Sequence, residues 1–475
     1  MGIVVLVWVG CAPMDGEAAR DAWLLDQHLA ANQVWLDRDP QLVGHKFARM
    51  ASSDWEYLRG STPVWYADLA RPDPDRPATA FLRSAAANDV LVVGDPHLEN
   101  LSTLLPGEEP DLADAALDAP LVLEWIDLDA AGFGAWTLDL RRAAMAYALF
   151  AGDQGCRDDG CDEAAATALI VGYAGELVRQ EAGLAPWDPA VEARWDPVFA
   201  TRLRADARED GVLGAALADR SELTAVGRRM RVDEGFDDVG RADLPLSVEE
   251  SAQLDRLLGA WTGSRPAGLR VLDAVRRYGQ GVSSLPAIRY VVLYDRGDDA
   301  PDDDRLVAFR EVAAPPPIGP VVRPFDSSEA RVREVAAALW SRPDADVRAD
   351  AVADGALVFK VLSVSGWGQT FDVGDMTGLV KGDVATDADL LGQGELIGRA
   401  LAAAHARGHT GDGLPSLPVL LDDLDAGGGI DALVAELVPL AVEDAAGVRA
   451  DRERFVELRE REGNLLGARW LRDAP

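Results

Sequence analysis

Apolar positions along the chain follow two kinds of spacing, and each kind predicts a different type of element. Helical spacing predicts helices over 15–36, 138–150, 163–179, 331–340 and 386–405. Short apolar or alternating runs rich in β-branched residues predict strands over 90–93, 121–126, 287–294, 306–309 and 356–364. An acidic loop is expected to join the strands 287–294 and 306–309 into a hairpin, and Thr386 is the expected N-cap of the last helix.

The order of these elements predicts an α+β fold rather than a repeating strand–helix–strand array. We expect a mostly helical lobe over 15–270, within which residues from about 186 to 270 form a helical insertion. A small antiparallel sheet lobe is expected over 271–385, and a helical segment over 386–475.

The composition is strongly acidic, with a formal net charge of −35 over 475 residues. Nucleic acids and anionic membrane surfaces attract clustered Lys and Arg, so this balance argues against both as partners. No apolar run approaches the roughly 20 residues that a membrane-spanning helix needs. An anionic ligand would require local basic groups or a metal ion, and the sequence gives no indication of the oligomeric state.

The first 14 residues contain an apolar run, 2–10, that ends at Cys11. This arrangement resembles the end of a bacterial lipoprotein signal, in which Cys11 would carry the lipid, although a basic segment before the run is missing. The alternative is a buried first strand. A lipid anchor would be the expected contact with a membrane.

Two further cysteines, Cys156 and Cys161, flank a short polar loop. Such a pair favours a local disulfide in an oxidising compartment, and two free thiols are the alternative. The cysteines therefore leave two localisations open, a cell-envelope lipoprotein or periplasmic protein on one side and a cytoplasmic protein on the other.

The candidate chemistry lies in a polar loop, 94–100, that directly follows the strand 90–93. Phosphoryl transfer needs a carboxylate that orients the attacking hydroxyl, together with an amide oxygen and a second carboxylate that hold Mg²⁺. Asp95, Asn100 and Asp127 match these roles in that order, since Asp127 follows the next strand. Glu99 and Asp129 are candidate secondary metal ligands.

These motifs resemble known families. Asp95-x-His97-x-x-Asn100 is similar to the catalytic loop of aminoglycoside phosphotransferases, and 126–129 is similar to their metal-binding strand end. The chain as a whole more closely resembles a bacterial family, domain of unknown function 2252, over the stretches 45–69, 94–101, 126–142, 278–311 and 398–407. The resemblance implies a protein-kinase-like two-lobed fold with ATP and Mg²⁺ as cofactors.

The resemblance also suggests how phosphates would be bound. The glycine-rich segment with Gly279, Gly281 and Ser283 would cover the phosphates, or else be a plain hairpin entry. Because it follows the catalytic loop along the chain, the two lobes would be in permuted order. Arg310 stands where the family usually has Lys, and either binds phosphate or marks a site that no longer turns over. Lys360 would substitute for that lysine, or else be an exposed residue at a strand end.

Three further residues are expected to support the site. Arg59 would contact substrate or phosphate, or form a surface salt bridge. His97 would hold the catalytic loop by hydrogen bonds, and Asp139 would brace the same loop as a cap or ion pair. His405 is expected in the core.

Two functions follow from these expectations. The first is an ATP-dependent phosphotransferase that acts on a small acceptor. The second is a catalytically silent, kinase-like ligand-binding lipoprotein of the cell envelope, in effect a pseudokinase.

Overall fold

A computed structural model of the chain describes residues 16–71, 79–105, 121–155, 160–185, 187–188, 198–212, 214–225, 227–266, 268–295, 304–313, 315–316, 318, 323–342 and 350–468. The helices are α1 Gly16–Arg38, α2 Pro40–Ser52, α3 Asp54–Gly60, α4 Thr62–Leu69, α5 Trp136–Phe150, α6 Cys161–Glu181, α7 Val198–Val212, α8 Ala215–Arg220, α9 Val248–Ala260, α10 Ser328–Leu339, α11 Val373–Lys381, α12 Asp387–Arg407, α13 Ser416–Gly427 and α14 Gly429–Glu462. The strands are β1 Val90–Val92, β2 Leu101–Leu104, β3 Val122–Trp125, β4 Gly132–Gly134, β5 Ser221–Thr224, β6 Gly227–Met230, β7 Ala242–Pro245, β8 Arg270–Tyr278, β9 Arg289–Asp295, β10 Arg305–Glu311, β11 Asp350–Asp354 and β12 Leu357–Val364.

Strands β7 to β12 form a six-stranded antiparallel sheet in the order β11-β12-β10-β9-β8-β7. The expected hairpin is confirmed, since β9 pairs with β10 in antiparallel register. In the middle of the sheet Arg310 on β10 lies opposite Arg289 on β9 and opposite Lys360 on β12. Directly opposite residues of an antiparallel pair point to the same face, so these three basic side chains share one face of the sheet.

The largest hydrophobic core lies among the helices, where α5 packs between α6 and α14. Helices α6 and α12 cross closely, because Gly172 and Gly398 leave no side chain between the two backbones. The predicted cap of α12 is confirmed, since the Thr386 hydroxyl accepts a hydrogen bond from Asp389 N. No described helix is long and apolar enough to cross a membrane.

Two small ribbons hold the polar loops in place. Strand β1 pairs with β4, and β2 pairs with β3, both antiparallel. The loop 94–100 leaves β1 and enters β2, whereas Asp127 follows β3 directly. Because β2 and β3 pair, the two loops leave the same ribbon and approach each other.

The mixed α+β composition agrees with the expected fold class, and the segment 186–270 contains strands beside the expected helices. It contains the helices α7, α8 and α9, and it also contains the strands β5, β6 and β7. Strand β7 is the edge of the six-stranded sheet, so a boundary at residue 270 separates this strand from its neighbour β8. Strand β8 was not predicted, because charged residues interrupt its alternation.

Candidate functional site

The loop 94–100 begins with a turn that only glycine fits. Gly94 has a φ of +83°, and a Cβ on it would overlap the carbonyl oxygen of Ala130. The backbone N–H groups of Val93 and Gly94 donate to the two carboxylate oxygens of Asp139, at 3.0 and 2.8 Å. His405 Nε2 lies 2.8 Å from the same carboxylate. Asp139 therefore holds the start of the loop by two hydrogen bonds, and His405 in turn contacts Asp139.

Asp95 is held in a buried ion pair. Its Oδ1 accepts a hydrogen bond from Arg142 Nε at 2.8 Å, and its Oδ2 accepts one from the Thr62 hydroxyl at 3.0 Å. Arg142 is 1% exposed, so its guanidinium pairs with the carboxylate in a buried environment. Asn100 Nδ2 donates to the backbone carbonyl of Asp95 at 2.9 Å, and this bond closes the loop.

His97 lies beside this ion pair, with its Nε2 3.9 Å from Asp95 Oδ2. Burial lowers the pKa of His97 to about 4, so the ring is neutral near pH 7. Its Nδ1 is buried without a hydrogen-bond partner, and its ring packs edge-on against Trp55. The His97 carbonyl accepts a hydrogen bond from Asn100 N at 2.9 Å, whereas its side chain contributes packing rather than the hydrogen bonds expected from the sequence.

The second loop brings an acid pair, Asp127 and Asp129, against two basic residues of the sheet. Arg310 Nη2 donates to Asp127 Oδ2 at 2.8 Å and to Asp129 Oδ2 at 2.7 Å. Lys360 Nζ lies 2.9 Å from Asp127 Oδ1 and 2.6 Å from Asp129 Oδ1. Burial alone would raise the pKa of Asp127, but Arg310 and Lys360 more than offset this and hold it well below its ordinary range.

Lys360 is not an exposed residue at a strand end, which was one of its two interpretations from the sequence. It is 5% exposed and binds both carboxylates of the acid pair. The acid pair in the motif 126–129 therefore contacts two basic side chains from neighbouring strands, Arg310 and Lys360, rather than one.

The glycine-rich segment forms a tight turn at the same place. Gly279 and Gly281 have φ values of +71° and +70°, and a Cβ on Gly279 would overlap the Gly240 carbonyl. The Ser284 hydroxyl accepts hydrogen bonds from Arg310 Nη2 at 2.8 Å and from Arg289 Nη2 at 2.7 Å. The turn is thereby attached to the basic face of the sheet.

One cavity of about 280 Å³ brings these parts together. Its lining contains the candidate residues Arg59, Asp95, His97, Asn100, Asp127, Asp129, Gly281, Ser283 and Arg310. Gly279 shapes the turn but does not line the cavity, and Asp139 lies behind the loop. Asp95 and Asp127, which are far apart along the backbone, thus face the same space.

Arg59 and Glu99 bind each other at the rim. Arg59 Nη1 lies 2.7 Å from Glu99 Oε2, and Trp55 Nε1 donates to Glu99 Oε1 at 2.9 Å. Burial raises the pKa of Glu99, which does not line the cavity. Arg59 forms a salt bridge and also lines the cavity, and its contact with substrate or phosphate stays a prediction.

Sequence reasoning missed three basic residues of the site. Lys46 on α2 and Arg289 on β9 line the cavity, and Arg142 on α5 holds Asp95. One usable signal was present for Arg289, because it is a charged residue within an otherwise largely apolar predicted strand, 287–294. Lys46 is one of only three lysines among the 46 basic residues of the chain.

The donor atoms at the acid pair suit Mg²⁺ in kind, since carboxylate and amide oxygens are its usual protein ligands. Asp127, Asp129 and Asn100 all face the cavity. Among the described residues, however, no group of three or more His, Cys, Asp or Glu side chains is arranged to hold a metal ion. A metal held here would need the Asn100 amide and the ligand's own oxygens to complete its coordination.

Cys161, at the start of α6, is disulfide-bonded. The other two cysteines, Cys156 and Cys11, both lie outside the described residues. The pairing of Cys156 with Cys161 and the lipidation of Cys11 therefore stay predictions.

A family model described as an uncharacterized protein conserved in bacteria (DUF2252) matches residues 38–458. No curated protein matches the chain, and no solved structure matches it. The matched range includes each residue of the cavity described above except Ala31 and Trp35.

Proposed function

The chain belongs to the DUF2252 family of bacterial proteins, and we propose that it is a kinase-like phosphotransferase that moves a nucleotide phosphoryl group to a small acceptor. One observation carries this proposal. Asp95, Asn100 and Asp127 come from two separate loops and line the same cavity as the turn at Gly281 and Ser283. Phosphoryl transfer depends on this combination of an orienting carboxylate, oxygen ligands for a metal and a phosphate-binding turn.

The position of the cavity is consistent with a kinase-like arrangement in two lobes. One wall comes from the polar loops and from α2 and α3, and the other comes from β9, β10 and the turn before β9. The sheet follows the polar loops along the chain, so the lobes would be in permuted order relative to ordinary kinases.

Each residue would have a defined role in this proposal. Asp95, which Arg142 and Thr62 hold in one orientation, would accept a hydrogen bond from the acceptor hydroxyl and direct it toward the phosphate. Asn100, Asp127 and Asp129 would hold Mg²⁺, which supplies charge neutralisation for the phosphate oxygens. Arg310, whose guanidinium can bind two oxygens at once, would shift part of its hydrogen bonding from the acid pair to phosphate.

A thermal-shift titration with ATP and MgCl₂ tests this proposal. We expect ATP with Mg²⁺ to stabilise the wild type by about 2.7 kcal/mol when its concentration is 100 times Kd. Asp127→Asn keeps the shape of the side chain but removes its charge, so we expect it to lose this stabilisation. A matched control is Asp354→Asn, which weakens an ion pair with Arg256 elsewhere on the sheet.

The proposal fails if ATP with Mg²⁺ does not stabilise the wild type, or if Asp127→Asn is stabilised equally. An assay of phosphoryl transfer then tests the catalytic part of the proposal. The release of ADP in the presence of candidate acceptors is expected to disappear in Asp95→Asn while ATP binding persists.

A ligand-binding protein without transfer is the second candidate, and the surroundings of Asp95 favour it. Both oxygens of this carboxylate already accept hydrogen bonds from buried groups, Arg142 and Thr62. The disulfide at Cys161 suits an oxidising compartment, where a cell-envelope protein would meet little ATP. ATP binding without release of ADP under any acceptor would support this candidate.

A further inference from the structure

The cavity contains more positive charge than the kinase-like roles use. Lys360, Arg310 and Arg289 lie in a row across three neighbouring strands, β12, β10 and β9. Like charges directly opposite each other destabilise a sheet unless something balances them. Asp127 and Asp129 balance Lys360 and Arg310, but no carboxylate of the described residues forms an ion pair with Arg289.

Among the described residues, Ser284 is the hydrogen-bond partner of the Arg289 side chain, while Asp127 and Asp129 attract its charge without forming an ion pair with it. Its side chain is mostly buried, with the residue 9% exposed, and its Nη2 donates to the Ser284 hydroxyl at 2.7 Å. Its Nε is buried without a hydrogen-bond partner. A buried guanidinium without a counter-ion is costly, so its presence at a cavity wall indicates that an anion completes it.

Lys46 brings a second basic side chain without a carboxylate partner from the opposite wall, and its Nζ lies 4.9 Å from the centre of the Trp35 ring. It is 2% exposed, and its Nζ donates to Asn32 Oδ1 at 2.7 Å and to the Ser283 carbonyl at 2.9 Å. Asn32 is itself fixed by a bond from its Nδ2 to the His28 carbonyl at 2.8 Å. An ammonium group has three N–H donors. Lys46 uses two of its three donors here, and no carboxylate of the described residues pairs with its ammonium group.

Lys46 and Arg289 meet at the same turn. Lys46 binds the carbonyl of Ser283, and Arg289 binds the hydroxyl of the next residue, Ser284. Together with Arg310 and Lys360 they place four basic side chains around two carboxylates. Two of these four basic side chains, Lys46 and Arg289, have no carboxylate partner among the described residues.

We propose that Lys46 and Arg289, together with the turn at Gly281 to Ser284, form a subsite that binds one phosphate group of the ligand. We call it the Lys46–Arg289 subsite. It needs neither a metal ion nor phosphoryl transfer, so a non-catalytic binding protein would use it equally. The phosphate could belong to a nucleotide or to another phosphorylated molecule, and the experiment distinguishes these two sources.

The test is isothermal titration calorimetry of the full chain with inorganic pyrophosphate in the presence of EDTA, which removes any contribution from the acid pair as a metal site. Lys46→Gln and Arg289→Gln each remove one charge from the subsite. Matched controls are Lys381→Gln, at the exposed end of α11, and Arg277→Gln, whose Nε is 3.7 Å from Asp243. We expect each subsite variant to bind pyrophosphate at least about tenfold more weakly, a change of about 1.4 kcal/mol, and both controls to bind as the wild type does.

The subsite is overturned if the wild type does not bind pyrophosphate, or if both subsite variants bind it with wild-type affinity. Circular dichroism checks that the variants are folded, and since Lys46 and Arg289 lie on different elements, one variant suffices if the other fails to fold.

Parallel titrations with ATP and adenosine identify the source of the phosphate. ATP that binds more tightly than pyrophosphate supports the subsite with a nucleotide as ligand. ATP that binds no more tightly supports the subsite with a different phosphorylated ligand, and in that case only the nucleotide part of the proposed function fails.

Discussion

Lys360 lies directly opposite Arg310 on the neighbouring strand, and both side chains bind the acid pair Asp127 and Asp129. Neither the motif 126–129 nor the sequence of either strand predicts this contact, because it depends on the register between β10 and β12. It accounts for the low pKa of Asp127, and it makes Lys360 part of the site.

We expect Lys360→Met to destabilise the protein, by less than the roughly 3–5 kcal/mol that breaking a fully buried ion pair costs, because it leaves two partly buried carboxylates with one cation. Urea unfolding measures this loss. Lys381→Met, at the exposed end of α11, is the control and should stay within about 0.5 kcal/mol of the wild type. A Lys360→Met variant as stable as the wild type would show that the acid pair does not depend on this lysine.

Asp139→Ala should both destabilise the fold and weaken ligand binding, because it leaves the N–H groups of Val93 and Gly94 without an acceptor. Each orphaned buried group costs about 1–3 kcal/mol. Asp423 offers a matched control, since it also accepts bonds from two consecutive backbone N–H groups, at Leu82 and Arg83, and does not line the cavity. Asp423→Ala should lose comparable stability in urea unfolding but bind pyrophosphate normally. Equal binding by the two variants would argue against the bracing role of Asp139.

Gly94→Ala should destabilise the protein by more than its positive φ alone explains, because the new methyl group overlaps the Ala130 carbonyl. Gly160 provides the control, since it has a similar φ of +81° and open space around the Cβ position. We expect Gly160→Ala to cost about 1–2 kcal/mol, the strain of the left-handed conformation, and Gly94→Ala to cost clearly more. Thermal unfolding monitored by circular dichroism compares the two, and equal losses would contradict the close approach of the two loops.

The stability of the protein should depend on pH through Lys46. Burial lowers the pKa of Lys46 to about 7, from the ordinary lysine value that applies to the unfolded chain. Between these two values the unfolded chain binds a proton that the native protein does not, so the free energy of unfolding rises with pH in this window. Below a pH of about 7 both states are protonated and this gain is absent.

The titratable groups of the helices packed against α2 do not change this expectation. His28 on α1 has a pKa lowered to about 3, mainly by burial, and burial raises the pKa of Tyr57 on α3 well above its ordinary value. Both are therefore uncharged across the window. Urea unfolding of the wild type and Lys46→Gln at about pH 6.5 and about pH 9 measures the difference, which should grow by up to about 1.4 kcal/mol per pH unit in favour of the wild type. A difference that does not change with pH would contradict a buried lysine with a lowered pKa, and Lys381→Gln should show no such trend.

The parts of the site that sequence predicted are those that local motifs define. Asp95 and Asn100 lie five residues apart in one loop, and Asp127 ends the next predicted strand, so short-range patterns were enough to find them. The hairpin of β9 and β10 was equally local, because alternating β-branched residues flank one loop.

The remaining parts depend on pairings between distant segments. Lys46 reaches Ser283 only because α2 packs near the turn, and Arg289 joins Arg310 only through the register of two strands. Arg142 is one of two adjacent arginines in α5, and the sequence does not say that one faces Asp95 while the other pairs with Asp444. Periodicity fixes which face of an element is buried, but it does not fix what lies opposite that face.

The contacts that support the two polar loops also affect when the site can form during translation. Asp139 needs His405, and the acid pair needs Lys360, whereas the loop itself ends at Asn100. A ribosome that has released only the first half of the chain therefore exposes the loop and Asp139 without His405, and the acid pair without Lys360. The contact of His405 with Asp139 forms only after α12 has been made, so nascent chains truncated before α12 contain the motif without this contact.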